Sequence, residues 1–197
     1  MKSNVRSANP FALSFDEING FVRTSLDGSD TLDEFITSID GLLAGAYKEA
    51  VAGLNKEMDA NYGIDYLLMN EIMNRKIDGK TYRDRIKDHD TVGGLVTLVD
   101  SEYVRVINET RHELIKDEPG IKKTWRTMKD DRVRDTHDYL EGRTCSSVMR
   151  KFYTYDGDSA LFPHGFSKAE NNVNCRCWCE YKRSGKTEKR KEKSVKT

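Results

Sequence analysis

The chain has 197 residues, of which 37% are hydrophobic and 34% are charged, and its lysines plus arginines equal its aspartates plus glutamates at 33 each. A chain of this length can bury a core of modest size. Its polar balance favours a helical protein with extended or partner-covered parts over a compact enzyme. The formal net charge of zero argues against a protein that binds polyanions over its whole surface.

No apolar run reaches the length of a membrane span, and the N-terminus lacks a signal-peptide core, so we expect no membrane association. Three of the four cysteines are bunched at Cys175, Cys177 and Cys179, with Cys145 apart. This spacing differs from the spread of a disulfide framework and indicates a chain made and kept in a reducing cytoplasm.

The first half of the chain is predicted to be helical. Residues 1–30 have no single apolar period and are interpreted as a flexible arm that orders only against another surface, with a short helix near residues 15–23 as an option. Thr31 and Glu34 have the spacing of a capping box. Apolar residues then recur at helical spacing as far as Met58.

Three further helices are predicted over residues 65–76, 81–87 and 92–116. Pro119 and Gly120 end the last one, because proline cannot continue the hydrogen-bond ladder and glycine favours a turn. The helical region is therefore expected to span residues 31–118.

Beyond Gly120 the pattern indicates short strands at 121–128 and 148–155, with a short helix between them at 130–140. Residues 173–181 alternate, which predicts a strand with one uniform face: Val173, Cys175, Cys177, Cys179 and Tyr181. Trp125 and Trp178 are expected in the core at the two ends of the sheet. The predicted fold class is α+β, with a helical N-terminal half and a small α+β domain around a short antiparallel sheet.

The cysteines are candidates for a zinc site. Zinc takes four tetrahedral ligands from cysteine and histidine, and residues two apart on a strand point the same way. The candidate ligands are His137, Cys145, Cys175 and Cys177, with His164 also available. The alternative is that these cysteines are small buried hydrophobic residues, which free cysteines often are.

His137 has the same two interpretations, structural and functional. It follows Val133 by four residues and precedes Leu140 by three, so its imidazole is predicted to face inward and to tie a helix to a strand. As a catalytic alternative, His137 would be a general base, with Arg134 or Arg176 holding a phosphate. Arg132, Arg134 and Arg143 are expected to brace loops of their own domain, and the alternative is that they hold carboxylates of a partner.

The C-terminal residues 183–197 are predicted to be a disordered basic tail. DNA contact is one role open to it, through Lys186, Lys189, Arg190, Lys191 and Lys193.

Several of these residues occur in a recognisable order. Trp125 is followed by Asp131-Arg132-Val133-Arg134-Asp135-Thr136-His137, then Leu140-Glu141-Gly142, and finally Asn174-Cys175-Arg176-Cys177. That order resembles the conserved domain of the Mu F-like minor head (head morphogenesis) proteins of tailed bacteriophages. Their pattern is a Trp, an Asp-Arg-x-Arg-x-x-His run, a Leu-x-Gly turn and Asn-Cys-Arg-Cys. The resemblance covers roughly residues 78–181, and the domain itself is expected at 119–182.

The resemblance implies a minor capsid protein of the virion, assembled in the host cytoplasm and acting in head morphogenesis and DNA packaging. It would be bound at low copy near the portal and the inner capsid, with the portal protein, the major capsid protein and packaged DNA as partners. Its motif residues would be Trp125, Asp131, Arg132, Arg134, His137, Gly142, Asn174, Cys175, Arg176 and Cys177.

Two alternatives belong to other classes of function. One is a small nuclease or nuclease-like toxin that uses His137, since some members of the family have been related to small nuclease folds. The other is a zinc-stapled nucleic-acid-binding module. The sequence contains no phosphate loop, nucleophile elbow or dinucleotide fingerprint, so we expect neither an enzyme nor a cofactor other than structural zinc.

Overall fold

The computed structural model describes residues 10–184. Within them the helices are α1 (Phe15–Asp27), α2 (Leu32–Met58), α3 (Tyr66–Met73), α4 (Tyr82–Asp88), α5 (Val92–Glu113) and α6 (Asp135–Asp138). The strands are β1 (Ile121–Arg126), β2 (Thr144–Cys145), β3 (Phe152–Tyr153), β4 (Ser159–Ala160) and β5 (Trp178–Arg183), and a 3-10 turn spans Ala169–Asn171. A helical first half followed by a small antiparallel sheet confirms the predicted α+β class.

The long helix α2 begins at the predicted capping box. The Thr31 hydroxyl accepts a hydrogen bond of 3.2 Å from the Glu34 N–H, and the Glu34 carboxylate accepts one of 3.1 Å from the Thr31 N–H. These bonds satisfy donors that every helix start leaves unpaired, and a cap of this kind contributes about 1 kcal/mol. The apolar face of α2 then packs against α5 to form the helical core, with Ile39, Leu43 and Tyr47 fully buried.

Helix α1 lies in the segment predicted to be a flexible arm. Ser14 and Glu17 form a second capping box, and Ile18 and Val22, one turn apart, are 1% and 0% exposed. They join the helical core, where α1 contacts α5. The optional short helix near residues 15–23 is therefore present and extends to Asp27. The arm interpretation needs correction over residues 15–27, because the surface that orders them belongs to the same chain. Residues 1–9 lie outside the described part.

Three predicted helices are shorter than their periodicity indicates. The helix predicted at 65–76 is α3, which ends at Met73. Helix α5 ends at Glu113 instead of residue 116, because the following turns are tighter: the Ile115 N–H bonds to the His112 carbonyl at 3.2 Å. The helix predicted at 130–140 is only α6. Its first half is instead a turn, in which the Asp130 carboxylate accepts a bond of 3.2 Å from the Arg132 N–H.

The central sheet has the order β2-β1-β5, with both pairs antiparallel. A separate hairpin, β3-β4, replaces the strand predicted at 148–155. In the β1-β5 register Trp125 faces Cys179 and Arg126 faces Trp178. The two tryptophans are buried as predicted, but they lie on neighbouring rungs and on opposite faces of the sheet instead of at its two ends.

The strand predicted at 173–181 also needs correction. Regular pairing starts only at Trp178, and Asn174 has a φ of 55°, in the left-handed region. That turn breaks the alternation, so Val173 is 42% exposed although Cys175 is 2% exposed. Further along, Trp178 and Glu180 are 4% and 3% exposed, so both faces of β5 are covered, not one.

Helix α5 connects the helical core to the sheet. All thirteen residues from 100 to 112 except Ser101 are buried, including charged ones. The Asn108 amide donates to the carbonyl oxygen of Cys177 at 3.0 Å, and the Arg111 guanidinium donates to that of Cys179 at 3.1 Å. These two buried side chains thus donate to backbone carbonyls at the start of β5 and just before it.

Candidate functional site: a thiol–imidazole cluster beside an arginine-lined cleft

The structure brings together one histidine and two cysteines of the motif. The Nδ1 atom of His137 lies 3.5 Å from Sγ of Cys175 and 3.6 Å from Sγ of Cys177. The ligand-capable atoms of all three residues lie within 4.8 Å of one another. None of the three residues is more than 2% exposed, so the cluster is closed off from bulk solvent.

Aromatic rings hold His137 in place. The imidazole stacks on Phe166, with ring centroids 5.3 Å apart and an interplanar angle of 19°. Trp125 approaches it edge-on at 5.7 Å. This packing fixes the orientation of the ring and leaves Nδ1 directed at the thiols, while Nε2 has no hydrogen-bond partner among the described residues.

The thiols are positioned through their backbone. The left-handed Asn174 turns the chain immediately before Cys175. A ring nitrogen of His164 then forms a bond of 2.7 Å with the Cys175 carbonyl oxygen, and the Asn108 amide holds that of Cys177. With both carbonyls held from outside the loop, the two Sγ atoms face inward toward His137.

The environment separates the two thiols electrostatically. Burial opposes ionisation of Cys175, yet hydrogen bonds with Cys177, His137 and His164 hold its pKa well below the ordinary value. Burial and the neighbouring Cys175 raise the pKa of Cys177 well above the ordinary value. Burial lowers the pKa of His164, but the Cys175 thiol outweighs it and the net shift is upward. The two thiols therefore differ in acidity, and Cys175 ionises more readily than Cys177.

The other two cysteines do not belong to the cluster. Cys145 lies on β2, where its thiol donates to the Lys151 carbonyl oxygen at 3.7 Å. Cys179 is 1% exposed, and burial raises its pKa to about 12. Of the predicted ligand set, the structure therefore assembles His137, Cys175 and Cys177 and leaves Cys145 apart.

A cleft of about 370 Å³ adjoins the cluster, lined by Phe15, Thr97, Asp100, Arg132, Arg134, Asn174 and Arg176. Arg176 donates to Asp130 at 2.7 Å, and Arg134 donates to the Val173 carbonyl oxygen, so both brace loops of their own domain. The Arg132 side chain is 65% exposed. Arg132 thus presents an exposed guanidinium group at the cleft, and such a group suits a carboxylate or a phosphate.

Asp100 of α5 also lines this cleft and is a residue that sequence reasoning missed. It is 3% exposed. Burial raises its pKa to about 6, and the positive charge of His164, Arg176 and Arg132 opposes the rise. In the sequence Asp100 looks like any polar residue of a helix, because its burial depends on the fold.

The remaining motif residues have structural positions. Gly142 has a φ of 76° and donates from its N–H to the Trp125 carbonyl oxygen at 2.9 Å, which closes the turn into β2. Asp131 is exposed.

The buried position of His137 provides no contact with solvent for a general base, and the nuclease alternative stays a prediction.

The DNA-contact residues Lys186, Lys189, Arg190, Lys191 and Lys193 lie outside the described residues. Arg183, predicted to begin the tail, is instead the last residue of β5. It pairs with Ile121 in the sheet, and its guanidinium forms an ion pair of 2.8 Å with Glu118.

The model of the Phage Mu protein F like family matches residues 64–180, more than half of the chain. The chain belongs to this family. The match runs from just before α3 into β5 and includes every residue of the thiol–imidazole cluster. None of the curated proteins or solved structures compared with the chain matches it.

Membership in the Phage Mu protein F like family makes this a phage head-related protein. Seven of its motif residues converge on the cluster and the cleft beside it: Arg132, Arg134, His137, Asn174, Cys175, Arg176 and Cys177. Among the helices of residues 10–184, none has the length and apolar character to cross a bilayer.

Proposed function

We propose that this protein is a minor capsid component that acts in head morphogenesis, bound at low copy near the portal and the inner capsid. The observation that carries the proposal is the family match over residues 64–180, which includes the whole motif. The portal protein and the major capsid protein are the proposed partners, and the virion is the proposed location.

The described surface supports a docking role. Residues at the start of α3 expose large apolar side chains: Tyr66 is 66% exposed, Leu67 is 84% exposed and Ile64 is 38% exposed. Adjacent apolar side chains exposed in this way are typical of surfaces that contact another protein. The arginine-lined cleft adds a place where an acidic group of a partner can bind.

We further propose that the basic tail contacts packaged DNA. Its lysines and arginines can pair with phosphates without reading sequence, and such contacts weaken steeply as salt rises. Because the chain as a whole has no net charge, this contact would be confined to the tail.

A phage carrying a nonsense codon early in this gene tests the role in morphogenesis. Heads would be counted by electron microscopy with and without the wild-type protein supplied from a plasmid. We expect fewer or misassembled heads without the protein and restoration by the plasmid. Normal numbers of normal, infectious heads without the protein would contradict the proposal.

A matched experiment addresses the location. Capsid shells assembled without portal protein would be compared with complete heads for their content of this protein. We expect the protein to be lost from portal-less shells. Equal retention per shell would contradict binding near the portal and would favour the major capsid protein as the partner.

A further inference from the structure

We propose that His137, Cys175 and Cys177 hold one zinc ion through Nδ1 and the two Sγ atoms, with the fourth coordination position open toward the arginine-lined cleft. The site would be a Cys₂His centre inside the small α+β domain. It is independent of the docking role proposed above.

The distances between the three ligand atoms fit zinc. With a Zn–S bond of about 2.3 Å and a Zn–N bond of about 2.0 to 2.1 Å at tetrahedral angles, sulfur and nitrogen lie about 3.5 Å apart. The observed Nδ1 to Sγ distances are 3.5 Å and 3.6 Å. Both observed distances therefore match a tetrahedral zinc site, and the two Sγ atoms lie within 4.8 Å of each other.

Burial and support also fit a metal centre. Each ligand residue is at most 2% exposed, and both cysteines are free thiols. Groups outside the ligand set position the two cysteines: Asn108 and His164 bond to their backbone carbonyls. Phe166 and Trp125 fix the ring of His137.

The fourth position has a defined location. A cavity of about 10 Å³ is lined by the three ligand residues together with Arg132, Val133, Arg134, Asn174 and Arg176. A cavity of this size is about the smallest that can hold one water molecule. Zinc with three protein ligands commonly takes water as the fourth, and here that water would face the arginine side of the domain.

The ion would join segments that are distant in sequence. His137 lies 38 residues from Cys175 and 40 from Cys177, so coordination would fasten α6 to the loop that enters β5. In a small domain with short strands, such a link stabilises the folded state directly.

The first test measures metal content. The full chain would be produced with zinc in the medium, purified under reducing conditions without chelator, and analysed for metal by mass spectrometry. We expect one zinc per chain, retained in Cys179→Ser and lost in Cys177→Ser. Cys179 is the matched control because it is equally buried and lies two residues further along, yet its thiol is outside the cluster.

Titration of the wild type with cobalt gives a spectroscopic test that needs no variant to fold. Titration of Co²⁺ into the metal-free wild type should produce a thiolate-to-cobalt charge-transfer band and intense tetrahedral d–d bands, complete at one equivalent. His137→Cys, which keeps a ligand at that position, should still bind one equivalent with a stronger charge-transfer band.

Three results would overturn the proposal. One is a wild type that holds no zinc and gives no charge-transfer band. Another is equal loss of zinc from Cys179→Ser and Cys177→Ser. The third is a disulfide between Cys175 and Cys177 in protein purified without reductant and alkylated before analysis.

Discussion

The side-chain amide of Asn108, in the middle of α5, donates a hydrogen bond of 3.0 Å to the backbone oxygen of Cys177. Asn108 is 1% exposed, so no solvent can replace this bond. The helical half of the chain thus holds the motif loop directly. The geometry of the cluster depends on a residue nearly seventy positions earlier in the sequence.

Replacing Asn108 by alanine should lower the free energy of unfolding by about 1 to 3 kcal/mol, because the buried carbonyl of Cys177 loses its donor. Denaturant titration measures this change. Asn70→Ala is the control, since Asn70 is exposed on α3 and should change stability by less than about 0.5 kcal/mol. Equal decreases in the free energy of unfolding in both variants would contradict a stabilising role of the Asn108 hydrogen bond.

Asp100 should make stability depend on pH. Its pKa is raised from 3.8 to about 6, so the folded protein binds this proton more tightly than the unfolded chain does. The contribution is complete below pH 3.8 and is lost as pH rises through about 6. In Asp100→Asn this loss is absent, so the variant should gain up to about 3 kcal/mol relative to wild type between pH 4 and pH 8.

Parallel urea titrations of wild type and Asp100→Asn across that pH range measure the difference. Asp131→Asn is the control, because Asp131 is an exposed carboxylate of the same region. A difference between wild type and Asp100→Asn that does not grow with pH would contradict the assignment of the raised pKa to Asp100.

The capping box of α2 provides a local stability prediction. Thr31→Ala removes the acceptor for the Glu34 N–H and should cost about 1 kcal/mol. Thr37→Ala is the matched control, because the Thr37 hydroxyl only donates back to the Asp33 carbonyl oxygen within the same helix. Thermal unfolding of both variants should place Thr31→Ala clearly below Thr37→Ala. The reverse order would contradict the role of the cap.

The proposed DNA contact predicts a salt dependence that is confined to the tail. Changing Lys186, Lys189 and Lys191 to Gln should reduce the slope of log affinity against log salt by up to about 2.7, since each phosphate contact contributes about 0.9. Fluorescence anisotropy with duplex DNA measures the slope. Changing the exposed Lys48, Lys56 and Lys87 to Gln removes the same charge from the helical region and should leave the slope unchanged.

The sequence predicts those elements that are determined by interactions between residues close together in the chain. The Thr31 cap and the apolar period of α2 depend on neighbours a few residues away, and both were predictable from the sequence. The two buried residues of helix α1, Ile18 and Val22, are too few to show a period. The sequence therefore offers only an optional short helix within an arm, and the packing against α5 is not visible in it. Two-residue strands such as β2 and β3 have too little sequence to show alternation.

The site was predictable in its residues but not in its arrangement. Periodicity placed His137 inward, and spacing placed Cys175 and Cys177 on one side. Whether Cys145 lies near the other three candidate ligands depends on how β2 pairs with β1, and no local pattern specifies that pairing. Asn108, His164 and Asp100 contribute through tertiary contacts alone, and their surroundings in the sequence resemble an ordinary polar helix face or loop.

The central claim, that this protein is a low-copy part of the phage head, is tested most directly by quantitative mass spectrometry of purified particles. Its peptides would be counted relative to those of the major capsid protein in particles from an infection that produces it. We expect a low and constant number of copies per head. Absence from purified particles, with the protein still present in the lysate, would contradict it.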